Sequence, residues 1–335
     1  MKSSAIAHSN IALVKYWGRS PDHSPDLNIP SSDSVSMTKI GLARDMHLQS
    51  HTTIEFSDAY EEDHAVLQGE NLTGRNLERI LSVVDPLRKS ADIDLRFKLA
   101  SKNDFPTQAG LASSASGFAA LAIATAAALR IDVSKERLST FARLGSGSAT
   151  RSIHGGFVYW NKGYSHETSF AEKICGRDRF DMNALISIIH GGKKEVASDI
   201  GHESASTSPF NEVRIEKSQV QAKDIKKAIL DDDFSTVGRI AEENCKYMHA
   251  VMMTSSPPLF YWHPDTLGLI KAIQRFRKQG LECYFTIDAG PNVHLLCRPE
   301  NSDELQKKLE EMKCVSRIIL ARPADDSHVT EEHLF

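Results

Sequence analysis

A long stretch without charge constrains this chain more than any other feature of its sequence. A quarter of all residues are charged, yet none of residues 105–129 is. A membrane-spanning helix needs about 20 predominantly apolar residues, and here only residues 118–129 are continuously apolar or small. We therefore expect no membrane span. The alanine-rich residues 118–129 instead predict a helix that is buried on all sides.

The first half of the uncharged stretch, PTQAGLASSAS, has a different character. Its glycine and small serine side chains let backbone N–H groups approach a ligand closely. A helix start also carries unpaired N–H groups and a positive dipole end, which suit an anion such as phosphate. The stretch lacks the Gly-Lys-Ser/Thr of a Walker loop. From the residues alone, a phosphate site and an ordinary serine N-cap both remain open.

Length and charge exclude several classes of protein. The chain has 335 residues and a net charge of −4, which predicts about two domains and no basic surface for nucleic acid. The N-terminal residues lack the apolar region of a signal peptide, and no lipidation motif is visible. The five cysteines have no metal-type spacing. We expect reduced thiols in a cytoplasmic protein without a metal cluster.

The order of the apolar runs predicts the fold class. Seven short runs predict strands: residues 11–16, 35–38, 95–99, 156–160, 184–190, 283–287 and 293–297. Six longer runs predict helices: residues 71–90, 109–130, 134–145, 222–249, 264–279 and 302–312. The regular strand–helix–strand alternation of a doubly wound fold is missing, so α+β is favoured. A charged stretch, EKICGRDRFD, precedes the predicted boundary between domains 1–183 and 184–335.

Four segments carry a family resemblance. PTQAGLASSASGFAAL (106–121) resembles the phosphate loop of the GHMP kinase superfamily. NIALVKYWG (10–18), ARLGSGSATRSIHGGFVYW (142–160) and FTIDAGPNVHLL (285–296) resemble the signature stretches of the mevalonate diphosphate decarboxylase family, in that family's order. The similarity spans most of the chain, and GSGSATRS and DAGPN are specific to the decarboxylase branch.

The resemblance implies a fold and a reaction. The fold would be the two-lobe GHMP kinase fold, with a ribosomal-S5-like N-terminal domain, a ferredoxin-like C-terminal domain and the active site in the cleft between them. The reaction would use ATP, with Mg²⁺ carried by its phosphates, to phosphorylate the 3-hydroxyl of mevalonate 5-diphosphate. Loss of phosphate and CO2 would then give isopentenyl diphosphate and ADP. The protein would be a homodimer that binds small molecules, not nucleic acid or membranes.

The resemblance also assigns catalytic roles. Asp288 would accept the hydroxyl proton of the substrate, although the residues alone also allow an aspartate that caps the Gly-Pro turn. Lys15 would pair with Asp288 and keep it ionised, or else reach solvent from a strand end. Arg151 would grip the substrate carboxylate, or else lie on the surface after a helix N-cap. Asn10 would join them, but in a straight strand it faces away from Lys15, so the strand must bend.

Binding roles follow from the same motifs. The ATP-binding residues would be Pro106, Gly110, Leu111, Ala112, Ser113, Ser114 and Ala115, with Ser114 at the γ-phosphate. The substrate-binding residues would be Tyr16, Arg19, Ser146, Ser148 and Ser198.

Several positions depart from the family pattern. Arg19 stands where the family usually has lysine, and Asp199 stands where an arginine is common. The loop over residues 19–30 is longer than usual, and ARPADDS lacks the usual glycines. These changes cluster on the substrate-phosphate side, so a mevalonate 5-phosphate decarboxylase that releases isopentenyl phosphate is a serious alternative. A 3-kinase that stops before decarboxylation and a non-catalytic ATP-binding protein are lesser ones.

Overall fold

The computed structural model describes residues 1–105, 113–189 and 198–335, without the side chains of residues 198 and 199. The strands are β1 (Lys2–His8), β2 (Asn10–Val14), β3 (Ser34–Gly41), β4 (Gln49–Ser57), β5 (His64–Leu67), β6 (Glu70–Asn71), β7 (Arg96–Asn103), β8 (Phe157–Trp160), β9 (Ala171–Cys175), β10 (Asn183–Ile189), β11 (Cys283–Thr286), β12 (Val293–Cys297), β13 (Val315–Pro323) and β14 (His328–Thr330). The α-helices are α1 (Gly74–Ser90), α2 (Ser113–Ala128), α3 (Lys135–Gly145), α4 (Ser198–Ser204), α5 (Asn211–Leu230), α6 (Phe234–Thr254), α7 (Pro264–Lys278) and α8 (Ser302–Glu310).

The first sheet has the order β14-β1-β4-β7-β5-β6 and is antiparallel except where β5 runs parallel to β7. Helix α2 packs on β1 and β4, with α1 and α3 beside it. Small side chains on α2 let the helix lie close to the sheet, and residues such as Ala119, Ala122 and Ala126 are buried there. The prediction of a helix buried on all sides is therefore confirmed for residues 119–126, whereas Phe118 and Ala127 are partly exposed.

The second sheet has the order β11-β12-β10-β13-β3-β8-β9, and β2 also pairs with β3. Helices α5 and α6 share a buried cluster with one face of this sheet, and α7 and α8 share another with Leu185, Phe285 and Leu295. The sheet curls, so that the Thr286 hydroxyl donates to the carbonyl oxygen of Ala12 at 3.2 Å. The end of β11 thereby lies against β2.

The mixed, mainly antiparallel architecture confirms the α+β prediction. The domain boundary at residue 183 stays a prediction. Strands from both sides of it share the sheets, since β14 pairs with β1 and β10 shares a sheet with β2 and β3. All five cysteines are free thiols. Within the described ranges, no helix combines the length and the apolar character that crossing a bilayer requires.

The helix predicted over residues 222–249 is wrong as a single element. It is the end of α5 and most of α6, which are separated by Asp231, Asp232 and Asp233. Asp232 takes a left-handed backbone conformation with φ of 59°, and the Asp233 carboxylate accepts from Thr236 N to cap α6. Aspartate favours both positions, because its side chain bonds nearby N–H groups.

Candidate active site

A β-bulge in β2 resolves the conflict between Asn10 and Lys15. The pairing of β2 with β3 shifts register between Ala12 and Val14. A bulge adds one residue to a strand and turns the following side chains to the other face. Asn10 lies within β2 and Lys15 directly follows it, and the bulge lets both side chains reach the same site. This is the bend that the sequence argument required.

Lys15 and Asp288 form a close ion pair. The Lys15 ammonium donates to the Asp288 carboxylate at 2.6 Å and to the carbonyl oxygen of Ala12 at 2.8 Å. Lys15 is 1% exposed, whereas 29% of the Asp288 side chain is accessible. Burial alone would raise the pKa of Asp288, but the charge and hydrogen bond of Lys15 outweigh it and lower that pKa. Asp288 is thus an ionised carboxylate with one open side.

The strand β11 explains the placement of Asp288. Cys283, Phe285 and Ile287 face the cluster with α7, and Tyr284 faces the opposite cluster, as the predicted alternation requires. Strand β11 ends at Thr286, and Asp288 lies in the turn that follows.

Arg151 is buried in this site, so the surface alternative is wrong for it. It lies in a 3₁₀ turn, Gly147–Ser152, and is 3% exposed. Its guanidinium donates to the Ser34 hydroxyl at 2.7 Å and to the Asn10 side-chain oxygen at 3.3 Å. Burial lowers the pKa of Arg151 to about 10, against the opposing charge of Asp288, so the group stays a cation. Its Nε has no hydrogen-bond partner among the described residues.

Asn10 is held by the same turn. Its amide nitrogen donates to the Ser152 hydroxyl at 2.8 Å and to the Ser148 carbonyl oxygen at 3.1 Å. These donors fix the orientation in which the Asn10 oxygen accepts from Arg151. The structure therefore brings together all four side chains that were predicted to be catalytic.

The predicted phosphate-binding serines meet beside the start of α2. Ser113 and Ser114 open this helix and Ala115 follows, buried. The Ser114 hydroxyl lies 3.3 Å from that of Ser146, which lies 3.2 Å from that of Ser148. The N–H groups and the positive dipole end at the start of a 16-residue helix favour an anion here. The rest of the predicted loop (Pro106, Gly110, Leu111 and Ala112) and the Ser198 side chain lie outside the described residues.

Two further predicted substrate-binding residues, Tyr16 and Arg19, follow strand β2, and Tyr16 contacts the turn that carries Arg151. The Tyr16 ring packs against those of Trp160 and His202 in tilted arrangements, with centroids 4.8 and 4.2 Å away. A Cβ on Gly147 would lie 2.5 Å from the Tyr16 ring, so only glycine allows this approach. Arg19 donates to the Asn28 side-chain oxygen at 2.9 Å and lies 3.7 Å from the Glu203 carboxylate.

Sequence reasoning missed three supporting residues. Asn244 on α6 accepts from the backbone N–H of Lys15 at 2.7 Å. Ser34 holds Arg151, and Lys39 on β3 is a fully buried cation close to Asn10. Lys39 continues the alternation of Val35 and Met37, so the sequence pattern could have identified it as a buried lysine. The predicted strand ended at residue 38 and therefore left it out.

No group of three or more His, Cys, Asp or Glu side chains suitable for a metal occurs within the described residues. The cationic and hydroxyl groups of the site suit anionic phosphates.

Comparisons with known proteins agree with this geometry. Residues 7–171 match the family model of the diphosphomevalonate decarboxylase-like N-terminal domain. Residues 184–331 match that of the mevalonate 5-diphosphate decarboxylase C-terminal domain. The phosphomevalonate decarboxylase of Haloferax volcanii is 32% identical over 92% of this chain and 91% of its own. The diphosphomevalonate decarboxylase of Candida albicans is 34% identical over 90% and 86%.

Solved structures with the same fold include mevalonate diphosphate decarboxylases. A structure described as MDDEF in complex with MVAPP, AMPPCP and magnesium superposes with a TM-score of 0.90 and 36% identity over 99% of both chains. Mevalonate diphosphate decarboxylase from Staphylococcus aureus gives 0.89 and 37% over 98% of both chains. Fold and site thus define a member of the GHMP kinase class. Within that class, the chain belongs to the mevalonate diphosphate decarboxylase family, whose members are ATP-dependent decarboxylases.

Proposed function

We propose that this protein uses ATP to decarboxylate mevalonate 5-diphosphate, giving isopentenyl diphosphate, ADP, phosphate and CO2. The observation that carries the proposal is the ionised, partly accessible Asp288 carboxylate, which is paired with Lys15 and lies within the electrostatic influence of the buried Arg151. A carboxylate with one open side can accept a proton from a substrate hydroxyl. ATP would enter with Mg²⁺ held mainly by its own phosphates, in line with the relative described with AMPPCP and magnesium.

In the first step, Asp288 accepts the proton of the 3-hydroxyl while the hydroxyl oxygen attacks the γ-phosphorus of ATP. The bond from that phosphorus to the ADP oxygen breaks, and ADP leaves. Ser113, Ser114 and the N–H groups at the start of α2 bind the negative charge of the phosphates. Lys15 pairs with the ionised Asp288 carboxylate before the reaction and so fixes its position.

In the second step, the bond between the tertiary carbon and the phosphoryl oxygen breaks, and positive charge develops on that carbon. The bond to the carboxylate carbon then breaks, and its electron pair forms the new double bond as CO2 leaves. Arg151 holds the carboxylate in line for this step, and Asn10 orients the guanidinium by accepting a hydrogen bond from it. The departing phosphate offsets the developing positive charge.

Tyr16, Arg19, Ser146, Ser148 and Ser198 would bind the 5-phosphates of the substrate. The tight approach of Gly147 to Tyr16 and the contact of Ser146 with Ser148 support a compact phosphate pocket on this flank. A homodimer and a cytoplasmic location remain predictions.

A mevalonate 5-phosphate decarboxylase is the second candidate. Arg19 already faces the Glu203 carboxylate, which lowers the positive charge available for a second phosphate. The similarity to the phosphomevalonate decarboxylase of Haloferax volcanii points the same way. A 3-kinase that stops before decarboxylation fits less well, because Arg151 and Asn10 are already positioned beside Asp288.

The test is incubation with ATP, Mg²⁺ and each carboxyl-labelled substrate, followed by measurement of ADP, phosphate and CO2, with ATP-free reactions as the control. We expect equal amounts of ADP and CO2, and a kcat/KM for the diphosphate about tenfold or more above that for the monophosphate. A reversed ratio selects the monophosphate enzyme. ADP without CO2 selects the 3-kinase, and no CO2 or ADP from either substrate overturns the proposal.

A further inference from the structure

Lys39 is a buried cation that the proposed mechanism does not use. It is 0% exposed, and its ammonium donates to the Ser9 hydroxyl at 2.9 Å and to the Asn10 carbonyl oxygen at 3.1 Å. No carboxylate in the described part of the chain forms an ion pair with it. Burying an unpaired cation is costly. A stable fold that keeps one beside its active site calls for an explanation.

The two lysines lie along one edge of β2. Lys39 donates to the carbonyl oxygen of Asn10, and Lys15 donates to that of Ala12. Carbonyl groups two residues apart in a strand point to the same edge and lie about 7 Å from each other. The ammonium group of Lys39 is therefore a near neighbour of the Lys15–Asp288 pair.

His294 on β12 is a second buried titratable group whose charge would interact with that of Lys39. Lys39 follows Met37 by two residues, and His294 precedes Leu296 by two, so each projects from the same face of its strand as that neighbour. Met37 and Leu296 belong to one buried cluster. Burial and the nearby Lys39 charge hold the pKa of His294 well below its usual value, so its imidazole is neutral. The residue opposite Lys39 on β13 is Pro323, which carries no charge.

The charged groups around Lys39 thus have opposite effects on its pKa. Burial lowers the pKa of Lys39 to about 7, the Asp288 carboxylate raises it, and Lys15 lowers it further. Electrostatic coupling between two groups is reciprocal. A carboxylate that favours the charged form of Lys39 is itself kept ionised by that charge.

We propose that Lys39 is a positioning residue that holds a second positive charge behind Asp288 and keeps this carboxylate ionised under acidic conditions. The proposal rests on the role of Asp288 as the base in the proposed function. In this arrangement Lys15 orients Asp288 through a direct hydrogen bond. Lys39, which is buried in the sheet, favours the negative charge of Asp288 and also holds the Asn10 backbone in place.

The first test measures protonation directly, without substrate. In protein labelled with ¹³C-lysine, NMR titration should show one lysine that titrates near pH 7 and is absent from Lys39→Met. In Asp288→Asn the same resonance should titrate at lower pH, because the favourable carboxylate charge is gone. A Lys39 resonance that titrates above about pH 9, close to the ordinary range of lysine, or one that Asp288→Asn does not move, overturns the proposal.

The second test is the pH profile of kcat/KM. Lys39→Met should shift the acidic limb to higher pH, because loss of a cation raises the pKa of the neighbouring carboxylate. Lys39→Arg keeps the charge and should leave that limb in place. A purely structural role would lower activity equally at every pH, and profiles that superimpose after scaling would exclude the coupling. If the unaltered protein releases no CO2, the proposed function fails, while the NMR titration still decides whether Lys39 and Asp288 are coupled.

Discussion

The Lys15–Asp288 pair and the Arg88–Asp63 pair both join a buried cation to a carboxylate, but they differ in what else the carboxylate contacts. Asp63 accepts from both terminal nitrogens of Arg88 and from the backbone N–H of Phe97, at 3.0 to 3.1 Å. Both side chains of that pair are 10% exposed. Asp288 accepts from Lys15 at 2.6 Å and keeps 29% of its side chain accessible.

The difference separates structural stabilisation from chemistry. A carboxylate whose lone pairs are all used by donors is fixed in place and has no capacity for a substrate proton. Asp63 ties α1 to β7 in this way. Asp288 keeps part of its carboxylate accessible, with the Arg151 charge nearby, so the same residue type is available for the proposed reaction. The two pairs offer matched Asp→Asn substitutions.

The largest effect is expected for Asp288→Asn. Without the base, kcat should fall by about 10²–10⁴-fold, since the amide holds its place beside Lys15 without accepting the hydroxyl proton. The measurement is single-turnover ADP and CO2 formation, with thermal unfolding as the control for folding. Turnover like that of the unaltered protein would remove Asp288 from the role of base.

Asp63→Asn is the matched substitution in the structural pair. It should lower the free energy of unfolding by about 2 kcal/mol, because it weakens the contact of Asp63 with both terminal nitrogens of Arg88 and leaves Asp85 as the remaining carboxylate partner of this charge. The kcat and KM of the folded protein should be unchanged. Urea denaturation together with steady-state kinetics measures both, and a large loss of kcat in a fully folded sample would contradict the division between the two pairs.

Arg151→Lys extends the comparison to the second cation of the site. Lysine keeps the charge but loses the planar fork that reaches Ser34 and Asn10 together. Decarboxylation should slow by about 10- to 100-fold, as expected for charge-assisted hydrogen bonds. ADP should then form ahead of CO2 in a rapid-quench time course; equal slowing of both products would place Arg151 in the first step.

The effect that is smallest for each unit of change concerns Lys39 and the pH dependence of stability. Its pKa is about 7 in the folded protein and 10.5 for an unperturbed lysine, so between these values the unfolded chain binds a proton that the folded chain does not. This group therefore makes the free energy of unfolding rise with pH from about 7 to about 10.5, by on the order of 1 kcal/mol per pH unit. Lys39→Met should remove that slope in urea denaturation series. An unchanged slope would show that Lys39 titrates normally.

Local patterns predicted much of the fold. The alternation of β11, the buried helix α2 and the α+β class follow from residue periodicity and were found as expected. Seven strands were missed because their short or interrupted apolar runs resemble loops: β1, β4, β5, β6, β9, β13 and β14. The break between α5 and α6 was missed because three aspartates scarcely interrupt the helical period of their flanks.

The residues of the candidate site likewise fall into two sets, one recognisable in the sequence and one found only in the structure. The motifs around Lys15, Arg151 and Asp288 were recognisable in the sequence because each requires particular residue types at close spacing. Asn244, Ser34 and Lys39 come from other elements and carry no local signature. Their importance depends on which strands and helices become neighbours.

Residue order alone was enough to identify the family, the uncharged helix α2 and the side chains available for phosphate chemistry, since these depend on local composition. Three-dimensional packing settled which carboxylate stays open, that Arg151 is buried, and that a bulge after Ala12 turns Lys15 towards Asp288. Charge and proton affinity depend on burial and on neighbours that are distant along the chain. These quantities exist only once the sheet has curled and brought β2, β3 and β11 together.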